Sequence, residues 1–336
     1  MSKLTQADLI AAIPHCLTSS SLELGTKYTG KVRDTYDLAP ELPGNLLLIT
    51  TDRQSGFDRN LGAIPYKGQV LNRTSLWWFE QTRHIANNHV VAALHANALL
   101  ARKCRVLPIE FVVRGYLTGS TDTSIWTKYN AGERSFGDLT LPDGMAKNQP
   151  LPHAIITPTT KEATHDRPIT PAEILAENWL TAAEWEHTSR VALELFAFGQ
   201  KTAAEHGLIL VDTKYEFGVT PEGEILLIDE VHTPDSSRYW IADSYAQRVS
   251  EGREPDMIDK EFFRLWFRER CDPYKDAVLP TPPDGLIAEL ASRYIQLFER
   301  ITGEAFVPDL RPVDATVQSH LEDLIAIAER ARSLQS

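Results

Sequence analysis

The chain has 336 residues, 43% of them hydrophobic and 24% charged, with a formal net charge of −12. That length supports two domains or one large one with ample core, and the acidic balance argues against broad binding to nucleic acid or to anionic membrane. Its three cysteines, Cys16, Cys104 and Cys271, are scattered and lack CxxC spacing, so they give neither a disulfide framework nor a zinc site and suit a reducing cytosol.

The segment Met1 to Pro14 reads as a short amphipathic helix carrying an acid, without the apolar core of a secretory signal. No apolar run approaches the ~18 residues of a membrane span. A cytoplasmic protein with no membrane partner is expected. Leu22 to Tyr28 and Thr35 to Leu38 read as strands about Gly30-Lys31-Val32-Arg33-Asp34. Gly30 lets the backbone approach an anion, and Lys31 and Arg33 share one side. This phosphate-cradle pattern also occurs in solvated hairpins, and it is not a Walker A loop, lacking the glycine spacing and the trailing Gly-Lys-Ser/Thr.

Leu46 to Thr51 is a buried strand by its apolar run, opening into the polar loop Asp52-Arg53-Gln54-Ser55-Gly56-Phe57-Asp58-Arg59. Val70 to Phe79 reads as a helix whose Trp77, Trp78 and Phe79 pack in a core. Cys104 to Arg114 is a further strand, leading to the loop Gly115-Tyr116-Leu117-Thr118-Gly119-Ser120. Such a loop offers N–H groups and hydroxyls to an oxyanion, and Arg114 can grip a carboxylate or phosphate bidentately. A domain boundary is expected near residue 115, giving domains 1–115 and 116–336. Thr121 to Met145 is polar and irregular apart from Ile125 to Tyr129. Pro150 to Pro171 reads as a Pro/Thr-rich loop over a site, and its adjacent His165 and Asp166 do not make a dyad. Thr170 with Glu173 and Thr181 with Glu184 fit capping boxes, the first with Pro171 at the first helical position; the second opens a long helix ended by Gly207.

Two runs of branched apolar residues, Leu208 to Gly218 and Ile225 to Ile228, flank a Pro221/Gly223 turn and predict a β-hairpin. Alternation puts Asp212, Lys214 and Glu216 on one face and Val211, Tyr215 and Phe217 on the other. A turn centred there brings Asp229 roughly opposite Lys214. Three carboxylates and an ammonium on one sheet face suit a Mg²⁺-nucleotide site, because Mg²⁺ takes one or two carboxylates plus phosphate oxygens and water; a solvent-facing hairpin is the plain alternative. Asp259 to Arg268 reads as an amphipathic helix with basic residues on one side, and two packing helices follow, Leu286 to Ile301 and Ala315 to Arg332.

Taken in order, Gly30-Lys31-Val32-Arg33-Asp34, Thr51 to Asp58, Glu110 to Gly115 with Gly119-Ser120, Asp212 to Gly218, and Asp229-Glu230 with Pro234 to Arg238 resemble the phosphoribosylaminoimidazole-succinocarboxamide (SAICAR) synthase family of purine biosynthesis. The resemblance covers roughly residues 20 to 270, and the stretch Asp122 to Asn130 looks like the family's longer form. It implies an α+β fold of two domains: a smaller N-terminal, kinase-like antiparallel-sheet domain and a larger ATP-grasp-like one, with ATP between them. It implies an ATP-dependent amide-forming ligase that joins L-aspartate to the carboxylate of 5-amino-1-(5-phosphoribosyl)imidazole-4-carboxylate (CAIR) with Mg²⁺.

By that similarity Gly30, Lys31, Val32 and Arg33 hold ATP phosphates, Glu110 to Val113, with Val112, meets adenine through its backbone, and Lys214 also contacts nucleotide. Glu216 and Asp229 serve the metal. Asp52, Arg53, Ser55, Arg114, Ser120 and Arg238 bind substrate, with Lys260 and Arg264 on the basic helix, and Lys214, Asp212 and Arg238 stand nearest the chemistry. Where the family usually reads Ser-Ala-Phe-Asp, this chain has Ser55-Gly56-Phe57-Asp58. Partners are expected to be small molecules only, in a monomer or small homo-oligomer. The chemistry agrees with the residues. Activating a carboxylate, most simply as an acyl phosphate, asks for positioning and charge neutralisation rather than a protein nucleophile. A kinase is the rival enzyme, but His-Arg-Asp and Asp-Phe-Gly motifs are missing; a non-catalytic nucleotide sensor is the rival from another class.

Overall fold

The computed structural model describes residues 4–57, 59–121, 124–161, 167–258 and 260–333, an α+β chain built on antiparallel sheets. The chain folds as two compact units, one of Met1–Glu80, His89–Cys104 and Asp259–Ser336, the other of Gln81–Asn88 and Arg105–Ile258. This differs from a contiguous division at residue 115. That residue lies inside a strand of the second unit, and the C-terminal helices group with the first.

In the first unit five antiparallel strands run in the order Thr26–Thr29, Arg33–Asp37, Asn45–Thr50, Ala98–Arg102, Val90–His95. The continuous apolar run Leu46 to Ile49 is explained by burial on both faces. Leu47 and Ile49 pack with Tyr36, Leu100 and with Val317 and Leu321 of the Val313–Ser333 helix. Leu48 packs with Leu99, Ala101 and Leu76 of the Lys67–Gln81 helix. A separate apolar cluster joins Leu9, Val70 and Leu71 to Phe263 and Phe267 of the Glu261–Arg268 helix and to Tyr294 and Phe298 of Asp284–Thr302. This packing is why the chain beyond Asp259 belongs with its beginning. Trp78 and Phe79 are core residues, as expected, while Trp77 is half-buried edge-on to Trp78.

The second unit is organised around the 12-residue strand Leu208–Val219. It pairs along its length with Ile109–Tyr116, Ser237–Ile241, Ile225–Ile228 and Arg105–Val106. Its back face is covered by the helix Ala182–Glu205, where Phe111 stacks on Trp185 at 5.5 Å and meets Phe217 edge-on at 5.2 Å. Both capping boxes form, and the long helix stops before Gly207, which takes φ 68°.

Three expectations change. The strand read as Cys104 to Arg114 is two strands, Arg105–Val106 and Ile109–Tyr116, broken at Pro108, which has no N–H for a ladder. Gly115 and Tyr116 continue the second strand rather than starting a loop. Pro150 to Pro171 is not all loop either. Pro150–Ile156 and Thr159–Thr160 add to the edge of Ile109–Tyr116, with the Thr157 N–H donating to the Val112 carbonyl at 2.8 Å. The prolines fall at the strand start and between ladder bonds, where no donor is needed. His165 and Asp166 lie outside the described residues, as does Asp58.

Gly68 opens the Lys67–Gln81 helix so close to the first sheet that a Cβ there would lie 2.2 Å from the Thr50 carbonyl oxygen and 2.5 Å from Asn97 Nδ2. Gly68→Ala is expected to cost about 1–3 kcal/mol through this overlap. Gly285→Ala, whose Cβ would meet nothing nearer than Gln6 Nε2 at 3.8 Å, is expected to be neutral or to gain up to about 1 kcal/mol of helix propensity. Thermal denaturation of the two variants side by side checks both.

Candidate active site

Alternation along Leu208–Val219 sends Asp212, Lys214 and Glu216 to the sheet face opposite the covering helix, and the neighbouring strands complete two clusters there. At one end Asp212 stands in register with Arg114 on one side and Arg238 on the other. Its Oδ2 accepts from Arg238 Nη1 at 2.8 Å and from Arg114 Nη1 at 3.4 Å, and Arg114 Nε donates to Thr157 Oγ1 at 2.7 Å. Two guanidiniums thus face one carboxylate at this end. Burial pulls the Arg114 pKa down, Asp212 raises it and Arg238 lowers it further; a site strained in that direction is relieved by an anion. A cavity of about 330 Å³ opens against Arg114, lined also by Lys128, Ser135, Phe136, Thr157 and Thr159. Gly119, at φ 110°, lets the loop before Ser120 close on Arg238, since a Cβ there would sit 3.2 Å from Arg238 Nη1.

Two and four residues further along, roughly 7 and 13 Å by strand rise, the balance reverses. Lys214 Nζ donates to Glu110 Oε1 at 3.1 Å, to Glu216, and to Asp229 Oδ2 at 3.4 Å, while Lys161 also pairs with Glu216. Thr159 Oγ1 donates to the other oxygen of Glu110 at 3.3 Å. Burial alone would lower the Lys214 pKa, but Glu216, Asp229 and Glu110 outweigh it and raise it well above the ordinary value. This lysine is a fixed cation.

Asp229 arrives by an unexpected route. The hairpin pairs Val219 with Ile225 and Glu216 with Ile228, so a continued ladder would set Asp229 against Tyr215 and send it to the back face. The strand instead ends at Ile228, and Asp229 takes φ 67°. That left-handed turn, rare for a residue with a Cβ, returns its carboxylate to Lys214.

Among the described residues no group of three or more His, Cys, Asp or Glu is placed to hold a metal by itself. Glu216 and Asp229 nonetheless fit Mg²⁺ that arrives with phosphates, which needs only one or two protein carboxylates. Glu110 to Val113 was expected to offer its backbone to a purine base. It is instead an interior strand paired on both edges, and what it presents to this face is the Glu110 carboxylate. Lys161, Thr157 and Thr159 were missed from the sequence, because they sit in the segment read as loop.

The first unit holds the other expected residues. Gly30 N–H donates to the Arg33 carbonyl at 2.8 Å, closing a tight turn with Lys31 exposed at its tip. Arg33 Nε donates to Thr50 Oγ1 at 3.3 Å. Arg53 lies beneath this turn. Its guanidinium bonds the carbonyls of Thr18, Gly30 and Lys31 and the buried Asp34 at 2.9 Å. Asp52 is likewise internal, accepting from the N–H groups of Leu17 and Gly68 at 2.7 and 2.8 Å, and burial pushes its pKa up to about 6. Arg53 thus supports the turn, and Asp52 joins Leu17 to the start of the Lys67–Gln81 helix; both side chains are turned inward in this structure. Ser55 lies on the short strand Arg53–Gly56, Lys260 stands just before the Glu261–Arg268 helix without a side-chain cap, and Arg264 reaches 3.5 Å from Glu261 and lies beside Gly56.

A sequence profile of the SAICAR synthetase family matches residues 26–281. A phosphoribosylaminoimidazole-succinocarboxamide synthase of Legionella pneumophila (strain Paris) is 60% identical over 300 residues, 89% of this chain and 95% of that protein. The chloroplastic enzyme of that name from Arabidopsis thaliana is 55% identical over 312 residues, 92% of this chain and 73% of its own. In structure, the chain is similar to SAICAR synthase from Saccharomyces cerevisiae complexed with SAICAR, with a TM-score of 0.73, 30% identity, and coverage of 87% of this chain and 100% of that one. The fold is also shared with a SAICAR synthetase in complex with ADP, at a TM-score of 0.63 and 24% identity over 84% of this chain and 100% of that one. The chain belongs to the SAICAR synthetase family.

Proposed function

We propose that the polar face of the second unit carries out SAICAR synthesis, and that its two clusters divide the work. The enzyme is an ATP-dependent ligase that joins L-aspartate to the carboxylate of CAIR, giving SAICAR, ADP and phosphate. The observation that supports the division is the charge reversal along one strand, from Asp212 between two arginines to Lys214 among three carboxylates.

The cationic end, with its cavity at Arg114, takes the anionic groups of CAIR. Asp212 has its Oδ2 shared by both guanidiniums, so its part is to hold the arginines. At the other end Lys214 meets phosphoryl oxygens. The Gly30–Arg33 turn of the first unit, with Lys31 exposed at its tip, is by itself a phosphate-binding loop. Mg²⁺, when bound, neutralises phosphate charge, and Glu216 and Asp229 are the carboxylates that would hold it. In the first step a CAIR carboxylate oxygen attacks the γ-phosphorus, the bond to the ADP oxygen breaks, and ADP leaves. In the second the aspartate amine attacks the acyl carbon, the carbon–oxygen bond to phosphate breaks, and the nitrogen sheds a proton as phosphate departs. Both steps draw on the positioned cations described above rather than on a nucleophilic side chain.

With Mg-ATP, ADP release is expected only when CAIR and L-aspartate are both present, with SAICAR formed in step; release with neither would point to a kinase-like enzyme, and ATP binding without turnover to a sensor. Asp229→Asn should lower kcat about 100-fold with the fold retained, and near wild-type turnover would remove Asp229 from the metal role. Arg238→Ala leaves Arg114 and Asp212 as a balanced pair. It should raise the KM for CAIR about 10–100-fold and that for ATP much less; equal losses would count against the assignment. Arg53→Ala and Lys31→Ala separate support from contact. The first should cost about 1–3 kcal/mol, because the carbonyls of Thr18, Gly30 and Lys31 lose their donor while Asp34 keeps Lys27 and Ser20, whereas the second should weaken ATP at a stability within about 0.5 kcal/mol of wild type.

A further inference from the structure

The loop from Asp229 to Ser236 carries Asp229 at its start and delivers Arg238 just past its end, and its shape is not one the chain prefers. Asp229 at φ 67° and His232 at φ 49° both occupy the left-handed region, a conformation that persists only where surrounding structure imposes it. His232 is where that imposition is visible. Its side chain is fully buried, and Nε2 lies 2.5 Å from the Tyr215 hydroxyl, the rings meeting edge-on at 5.4 Å. Its own carbonyl accepts from the Tyr239 hydroxyl at 2.8 Å. The ring also rests on the Ala182–Glu205 helix at Gly199, where a Cβ would come 2.3 Å from His232 Cε1.

The placement of these partners gives the contact its meaning. Tyr215 sits between Lys214 and Glu216, and Tyr239 follows Arg238. Alternation directs both rings to the back of the sheet while their neighbours carry the charged face. His232 therefore ties together, from behind, the strand of Lys214 and Glu216, the loop of Asp229 and the strand of Arg238. Burial lowers the His232 pKa to about 3, so the imidazole in this contact is neutral.

We infer that His232 is a positioning residue for the ligase reaction: through its bond to Tyr215 and its left-handed backbone it fixes where the Asp229 carboxylate stands relative to Lys214 and Glu216. The inference rests on the assignment of Asp229 to magnesium made above. Its alternative is that His232 merely fills the core.

Tyr215→Phe removes one hydroxyl and keeps the ring, so it is the mild variant; His232→Leu removes the bond from the other side, and His232→Gln keeps a polar group able to reach the phenol. Calorimetric titration with Mg-ADP is the first readout, because it does not depend on turnover. Tyr215→Phe and His232→Leu should each weaken Mg-ADP about 10–100-fold, as loss of a group that orients a metal ligand does. The double variant should be no worse than the poorer single one, because both changes break one contact, and His232→Gln should recover part of the loss. In steady state kcat should fall with Mg-ADP affinity while the KM for L-aspartate stays within about twofold. Folded Tyr215→Phe and His232→Leu proteins that bind Mg-ADP as tightly as wild type would overturn the inference and leave His232 as core packing. If Asp229→Asn also binds Mg-ADP like wild type, the fault lies with the metal assignment instead.

Discussion

A lysine ammonium held among three carboxylates is the constraint on which the second unit depends. Lys214 is half-buried on a strand whose other face is packed against a helix, and an ammonium drawn partly out of water there is best kept charged by opposite charge around it. Glu110, Glu216 and Asp229 supply it from three different strands or their ends. Meeting that requirement fixes the register of Ile109–Tyr116 against Leu208–Val219. It also forces the chain after Ile228 into a left-handed turn, because a regular ladder would carry Asp229 to the wrong side. A strained backbone of this kind costs on the order of 1–3 kcal/mol, small beside an unpaired buried charge.

The same strand solves the opposite problem at Asp212, one step earlier on the same face. There one carboxylate serves two guanidiniums. In the contacts described, guanidiniums predominate at one end and carboxylates at the other, a division that suits substrates carrying phosphate, carboxylate and metal. A ligase whose chemistry consists of holding anions together needs such positioned charge more than it needs a reactive side chain.

Much of this was legible in the sequence, and the reasons are local. The branched apolar runs on either side of Pro221 and Gly223 specify a hairpin, and a period of two then places Asp212, Lys214 and Glu216 together without any knowledge of distant residues. The capping boxes at Thr170 and Thr181 were readable for the same reason. What could not be read was non-local. Arg53 stands in a polar motif and looks like a ligand, yet its partner Asp34 lies 19 positions away, and only the fold shows that the pair is internal. The strand Pro150–Ile156 hides behind its prolines, and with it went Thr157, Thr159 and Lys161, whose place on the face depends on an inter-strand register no local pattern encodes. The C-terminal helices join the first unit through Val317, Leu321, Tyr294 and Phe298, packing that sequence distance conceals.

In the proposed division of the site, one sheet face separates the imidazole nucleotide from the metal-bound phosphates by the sign of its charge. A crystal structure of the enzyme with CAIR and Mg-ADP tests it most directly. The expected result is an anionic group of CAIR against Arg114 and Arg238 and a magnesium ion on Glu216 or Asp229. CAIR's anionic groups found away from both arginines, or magnesium bound by neither carboxylate, would contradict it.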